Sequence, residues 1–459
     1  NIILGILSSL IDSLYPLFNS YALNHFVAEE TLKGILPFAA AYAVILVLQV
    51  IDNFVSTYQC GKVEMSVDRD LRNASFNHLQ TLSFSYFNQN NVGYIHARVM
   101  SDTGKIGELV AWRMMDMVWN GSYIVCVIAV MLAVNARLAM YVLALVPVAV
   151  VLIAFFQKKL VKLNRRIREI NSTITGNFNE GITGARSVKT LVIEDRIRKD
   201  FEKDTEEMRE ASVKATHYSA LFTSLVTFMC ATALALVLWK GGRITMEGVL
   251  QIGTLSVFFS YALNMMDPIQ NIVQTISAFI AIQVNIERLT RLLHTESDVA
   301  DRSEVTERYG DTFHPKKENW PAIHGDIAFR HVSFQYGSGE QVLEDFNLEV
   351  KAGQNIAIVG ETGSGKSTIV NLICRFYEPT EGEILIDGVD YRNHSQLWLQ
   401  SNLGYVLQTP HLFSGSVRDN IRYGRLNATD AEVEAAARLV NAEAFILALE
   451  NGYDTDVGE

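Results

Sequence analysis

Gly360-Glu361-Thr362-Gly363-Ser364-Gly365-Lys366-Ser367-Thr368 sets three glycines, a lysine and four hydroxyl side chains in the order Gly, four residues, Gly-Lys-Ser/Thr. Glycines without a Cβ let a backbone turn tightly and approach a phosphate closely. The N–H groups of such a loop converge on the oxygens, and a helix beginning at the loop adds the positive end of its dipole. Lys366 would then bring a cation to the outer phosphates, and the Ser367 hydroxyl would ligate Mg²⁺. The flanks suit this chemistry. Asn355-Ile356-Ala357-Ile358-Val359 is a short, β-branched apolar run and predicts a buried strand. Ile369-Val370-Asn371-Leu372-Ile373 predicts an apolar helix start, giving strand, loop and helix in the order of a phosphate-binding unit.

The elements that must carry this loop are of two kinds. Hydrophobic residues make up 49% of the 459, a high share beside 19% charged residues. The excess lies before residue 290, in six apolar runs near 2–26, 35–58, 112–134, 138–157, 218–239 and 249–282. Each meets the roughly 20 residues that about 30 Å of hydrocarbon requires, which predicts an all-α six-helix transmembrane domain and excludes a soluble phosphate-loop enzyme. The connections around 27–34, 135–137 and 240–248 are short. Those from about 59 to 111 and about 158 to 217 are long, polar and helix-forming, so helices two to five are expected to continue past the bilayer as long extensions. The second long connection carries fourteen lysines and arginines, the first five, and the three short ones together four. Basic residues concentrate on the inner side, so the long connections and the phosphate loop are expected in the cytoplasm. The net charge of −11 argues against nucleic acid as a partner. Cys60, Cys126, Cys230 and Cys374 lie far apart and show no metal spacing.

Asp12, Asp52, Asp116 and Asp267 fall within the apolar runs. Carboxylates in a membrane are costly and mark either a pathway or a wet cavity. Met114, Met115, Met117, Met265 and Met266 offer either an adaptable surface for apolar cargo or ordinary packing. From His294 to about Pro321 the chain turns polar, a linker between domains at 1–293 and 322–459. Beyond it, Asp326–Tyr336, Val342–Val350 and Glu383–Ile386 predict strands and Ala431–Glu450 a helix, an α/β domain around the loop.

These features together resemble the half-transporters of the ATP-binding cassette (ABC) exporter family, with membrane and nucleotide-binding domains fused. The resemblance covers nearly the whole chain. Tyr336, 24 positions before Gly360, matches the family's adenine-stacking aromatic. Gln408 in Val406-Leu407-Gln408 matches the glutamine loop, which implies contact with Mg²⁺ and sensing of the γ-phosphate. Ser85-Tyr86-Phe87 with Gly93, Arg98 and Ser101-Asp102 resembles the first cytoplasmic coupling region, and Gly184–Asp195 the second. The resemblance implies ATP with Mg²⁺ as ligands, bound by Tyr336, Gly360, Glu361, Thr362, Gly363, Ser364, Gly365, Lys366, Ser367 and Thr368. Lys366 and Gln408 are the implied catalytic groups, and Ser367 and Gln408 the implied metal ligands. It also implies a second half-transporter subunit, in a homodimer or a heterodimer, and surrounding membrane lipid. The cargo would be a transported small molecule, lipid or peptide of amphipathic or hydrophobic character. The expected location is a bacterial plasma membrane, crossed several times. The family's signature motif and hydrolytic glutamate are expected beyond Glu459, and the chain's true start upstream of Asn1. Two other readings remain open in the sequence: a regulatory half whose own site binds ATP without turnover, and an ATP-gated channel or membrane receptor.

Overall fold

In hydrocarbon a backbone N–H or C=O has only its own segment to pair with, so apolar runs of this length become helices. The computed structural model describes residues 1–337, 339–407 and 411–458, and the chain divides into two units, Asn1–Asp298 and Val299–Glu459.

The first unit is helical. Five of its helical stretches are long and apolar enough to cross a membrane among the described residues: Ile2–Val27, Ile35–Leu79, Val92–Leu143, Glu194–Met246 and Ile252–Leu293. The apolar run at 138–157 does not form one helix of its own. Asn135, at φ −157° and ψ 97°, breaks the path between 112–134 and 138–157 at the expected turn, and its Oδ1 accepts from the Leu138 N–H at 3.0 Å. The same run is divided again at Ala144, between the helices Met114–Leu143 and Leu145–Thr183. Pro147 accounts for that second break: it lacks an N–H, and its ring meets the carbonyl four residues back. Pro268 likewise follows the break at Met265, between Ile252–Asn264 and Met266–Leu293. Helix Ile35–Leu79 has 45 residues, and Glu194–Leu236 has 43. At 1.5 Å per residue each is over about 60 Å long, twice the hydrocarbon thickness, as the polar connections require. Leu145–Thr183 packs along Glu194–Leu236, and the short helix Ala185–Leu191 caps the pair at an exposed tip. The core gathers Met131, Leu138, Ile153, Val257, Phe258 and Tyr261, whose hydroxyl donates to the Ser13 carbonyl at 2.6 Å. Met265 and Met266 are buried in this core, so ordinary packing describes them. In the first coupling region Arg98 and Asp102 pair at 3.0 Å, nearly buried, with the guanidinium over the Tyr94 ring.

The second unit is built on an antiparallel sheet in the order β2-β1-β3-β4, with β1 Ile327–Gln335, β2 Gln341–Val350, β3 Glu381–Ile386 and β4 Val389–Asp390. A second pair joins β5 Gly415–Ser416 to β6 Asp456–Val457. Phe329, Val332, Phe334, Leu343, Ile384 and Ile386 turn inward against Ile369, Leu372, Tyr391, Trp398 and Leu399. The three strands expected from alternation form. The run Asn355–Val359 does not: among the described residues no strand pairs with it, and Ile356, Ile358 and Val359 are exposed. A parallel strand needs a neighbour to take its backbone groups, and here both sheets are antiparallel. The helix expected over 431–450 divides into Asp430–Leu439 and Glu443–Leu447, with Asn441 at φ 57° between them.

A buried cation ties this unit's entry to its centre. Arg375, only 1% exposed, pairs with Asp301 and with Glu378 at 2.8 Å each and donates to the His394 carbonyl at 2.9 Å. Asp301 in turn accepts from the Gln396 N–H at 3.0 Å. Asp387 holds the neighbouring turn. Burial pushes its carboxyl up, but donations from the backbone N–H groups of His324, Asp326 and Gly325 outweigh this and keep it below the ordinary value. Removing one partner of a buried ion pair typically costs about 3–5 kcal/mol. Arg375→Ala is therefore expected to destabilise this unit by about 3 kcal/mol or more, read as an earlier transition in denaturant followed by the fluorescence of Trp398.

Candidate functional site

The phosphate loop joins the exposed run 355–359 to the helix Lys366–Ile373. Its shape comes from glycine. Gly363 has φ +89° and Gly365 φ +87°, conformations that side chains with a Cβ rarely adopt. Gly365 is also packed from beneath: a Cβ there would lie 3.1 Å from Leu343 Cδ2 and 3.3 Å from Val342 Cγ1, both on β2. A Cβ on Gly360 would lie 2.6 Å from Ser364 Oγ, so the two ends of the loop nearly touch. Glu361 and Ser364 close a turn, with the Ser364 N–H donating to the Glu361 carbonyl at 3.1 Å.

The helix after the loop starts bare. Gly365 is its N-cap and offers no side chain, and its first turn holds no acidic residue. Three other helices of this unit are closed by side chains, while Ser303–Tyr309 and Glu443–Leu447 are not: Ser395 caps Gln396–Ser401, Ser416 caps Val417–Arg422, and Thr429 caps Asp430–Leu439. Among the described residues the backbone N–H groups of Lys366, Ser367 and Thr368 meet no acceptor. Unpaired donors and the positive end of a helix dipole at one point make an anion site. Lys366 lies across it, its ammonium donating to the carbonyls of Gly360 at 2.9 Å and Glu361 at 2.7 Å.

Tyr336 reaches the same place from the end of β1. Its hydroxyl is 3.0 Å from Thr368 Oγ1, and its ring meets Phe334 and Tyr377 edge to face at 4.7 and 5.0 Å. At 38% exposure, part of the residue remains open to solvent. Ser367 is exposed, and its hydroxyl makes no hydrogen bond among the described residues. An oxygen so placed suits a hard cation such as Mg²⁺, which takes oxygen ligands and completes its shell with water and phosphate. Gln408 lies outside the described residues. The structure thus brings together Tyr336, Gly360, Glu361, Ser364, Gly365, Lys366 and Thr368. Val342, Leu343 and Tyr377 support them, and no local spacing announces those three. The carboxylates of the apolar runs separate: Asp12, Asp52 and Asp116 line one cavity, while Asp267 is exposed elsewhere.

The family model for the ABC transporter transmembrane region matches residues 1–269, and the ABC transporter model matches 343–451. The chain belongs to the ABC transporters. YfiC of Bacillus subtilis, an ABC transporter ATP-binding protein of uncharacterised function, is 30% identical over 450 residues, which are 98% of this chain and 72% of that protein. YgaD of Bacillus subtilis, provisionally named a multidrug export ATP-binding/permease protein, is 27% identical over 100% of this chain and 78% of its own length. The ATP-dependent lipid A-core flippase of Desulfotalea psychrophila is 30% identical over 87% of this chain and 67% of its own length. This ABC transporter is a multi-pass membrane protein that binds ATP, and it couples ATP hydrolysis to export.

The bare helix head makes Gly365 the least replaceable glycine of the loop. Gly365→Ala places a Cβ in left-handed backbone, at roughly 1–2 kcal/mol, and against β2. ATP affinity of that variant is expected to fall about tenfold or more, measured by titration with a fluorescent ATP analogue.

Proposed function

We propose that this chain is one half of a dimeric ABC exporter that moves an amphipathic or hydrophobic molecule across a bacterial plasma membrane. The observation that carries the reading is the open, glycine-capped helix head with Lys366 across it, fused to five apolar crossing stretches. Residues 1–293 would form the transmembrane domain, 294–321 the linker and 322–459 the nucleotide-binding domain. The excess of basic residues in the long connections supports a cytoplasmic nucleotide-binding domain. The names of the multidrug-export and lipid A-core relatives support an amphipathic cargo.

In this reading the backbone N–H groups of Lys366, Ser367 and Thr368 hold the phosphates of ATP. Lys366 exchanges the Gly360 and Glu361 carbonyls for charged oxygens, a stronger set of acceptors. Tyr336 offers its ring to the adenine, and its hydroxyl bond to Thr368 sets the distance between base and phosphate ends. Ser367, with Gln408, would hold Mg²⁺, which when bound supplies positive charge to the outer phosphate oxygens. Little of the chemistry is covalent work by the protein, so positioning and fixed charge carry the rate. A partner subunit completes the arrangement, and closure of two such domains would reorient the membrane helices as rigid bodies.

Lys366→Ala is expected to abolish nearly all ATPase activity in the full-length dimer, and turnover at the wild-type rate would refute the assignment. Base stacking on an aromatic ring is worth about 1–3 kcal/mol, a factor of about 5–150 in affinity. Tyr336→Ala should weaken ATP by that factor while Tyr336→Phe, which keeps the ring, loses much less. Equal losses in the two variants would shift the role from ring to hydroxyl.

A further inference from the structure

We propose that a polar cavity among the first three crossing stretches binds an organic cation bearing N–H donors, an ammonium or guanidinium group on the exported molecule. This rests on the export reading above and names the charge of its cargo. The cavity has a volume of about 510 Å³, in the range that holds a small organic ligand. Asp12, Asp52 and Asp116 line it, and none of the lining residues is lysine, arginine or histidine.

Each of the three carboxylates has at least one partner. Asp12 accepts from Gln49 Nε2 at 2.6 Å and from Trp119 Nε1 at 3.0 Å. Asp116 lies 3.7 Å from Arg113. Asp52 differs. It is 6% exposed, and Ser8 donates to one of its oxygens, but the other, Oδ1, has no partner. One helical turn on, Ser56 is 7% exposed and its Oγ also has no partner. Four residues apart on one helix, the two share a face, and both line the cavity. A buried carboxylate oxygen without a hydrogen-bond donor is costly, the more so away from water. A group with several N–H donors and a positive charge would satisfy both oxygens and balance the charge of the carboxylate.

The walls specify an organic cation. Trp112 and Trp119 are seven residues apart on one helical face and line the cavity. Their indole N–H groups are held by Glu64 at 2.8 Å and Asp12 at 3.0 Å, which fixes the rings. Fixed indoles offer an apolar wall and attract cations through the ring quadrupole. Among the described residues no group of three His, Cys, Asp or Glu side chains could hold a metal ion.

The test uses the full chain in lipid nanodiscs without nucleotide, with binding read by calorimetry and by quenching of tryptophan fluorescence. The probe is 4-phenylbutylammonium. Its alcohol, its carboxylate and its N-trimethyl form share the phenylbutyl body and differ at the head, the first two in charge and the third in N–H donors and size. The ammonium should bind about tenfold more tightly than the alcohol and the trimethyl form, the carboxylate should show no saturable binding, and Asp52→Asn should cost about tenfold for the ammonium. Ser56→Ala should cost a few-fold. Several outcomes overturn the proposal: no saturable binding of the ammonium, equal binding of ammonium and alcohol, a trimethyl form as tight as the ammonium, unchanged binding in Asp52→Asn, or displacement by equimolar magnesium or calcium chloride. The comparison among probes uses wild-type protein, so it stands even where a variant fails to fold. Binding of ATP with Mg²⁺ is measured on the same sample. Its loss beside intact ammonium binding would count against the nucleotide reading alone, and the reverse against the cavity alone.

Discussion

The second unit depends on a helix that is left unfinished. A helix start exposes several N–H groups, and proteins ordinarily close them with a serine, threonine or aspartate. This unit does so at Ser395, Ser416 and Thr429. At Gly365 it does not. The left-handed turn there favours a residue without a Cβ, and a Cβ would press on Val342 and Leu343 beneath it. The helix head therefore stays open, and an anion from outside would complete it. Lys366 lies across the opening on backbone carbonyls, neutral acceptors that a phosphate oxygen outcompetes.

The membrane half obeys the opposite constraint. Where hydrocarbon surrounds a helix, an unpaired polar group has no water to turn to, so breaks are confined to places with a local remedy. At Asn135 the side chain itself takes the next N–H. At Ala144 and Met265 a proline three residues on has already removed a donor. The same rule makes Asp52 conspicuous. Asp12 and Asp116 are answered by neighbours, whereas Asp52 keeps one oxygen unanswered within a lining that has no cationic side chain.

Much of this was legible before any coordinates. Apolar length alone marks the crossing helices, because about 30 Å of hydrocarbon sets a minimum that few soluble helices meet. The phosphate loop is legible because its chemistry is local: nine consecutive residues hold the turn, the cation and the hydroxyls. The strand expected at Asn355–Val359 shows where local reading ends, since a strand exists only with a partner, and pairing is not written in the run itself. Asn441 divides a stretch whose composition reads as one helix, because a single left-handed residue outweighs a favourable neighbourhood. The cavity was half legible. Asp12, Asp52 and Asp116 stand out against apolar runs, but Ser8, Gln49 and Trp119 acquire meaning only when separate helices meet.

Length beyond the bilayer is the remaining structural commitment. Leu145–Thr183 and Glu194–Leu236 run together past any hydrocarbon boundary, where apolar burial is thin and residues are mostly exposed. Their polar stretch carries many ion pairs within one helix, such as Arg198 with Asp195 and Glu202, which are exposed and add little to stability. Such pairs favour helix without choosing a neighbour. Contacts across the pair join Arg166 to Glu207 and Asn177 Nδ2 to Asp204 at 2.6 Å, and nearer the apolar core the rings of Phe156 and Phe222 meet at 5.6 Å. A hairpin of two long helices packed along each other is stiff along its axis. Such a pair would carry a displacement of the exposed tip at Ala185–Leu191 toward the apolar core without asking the core to repack.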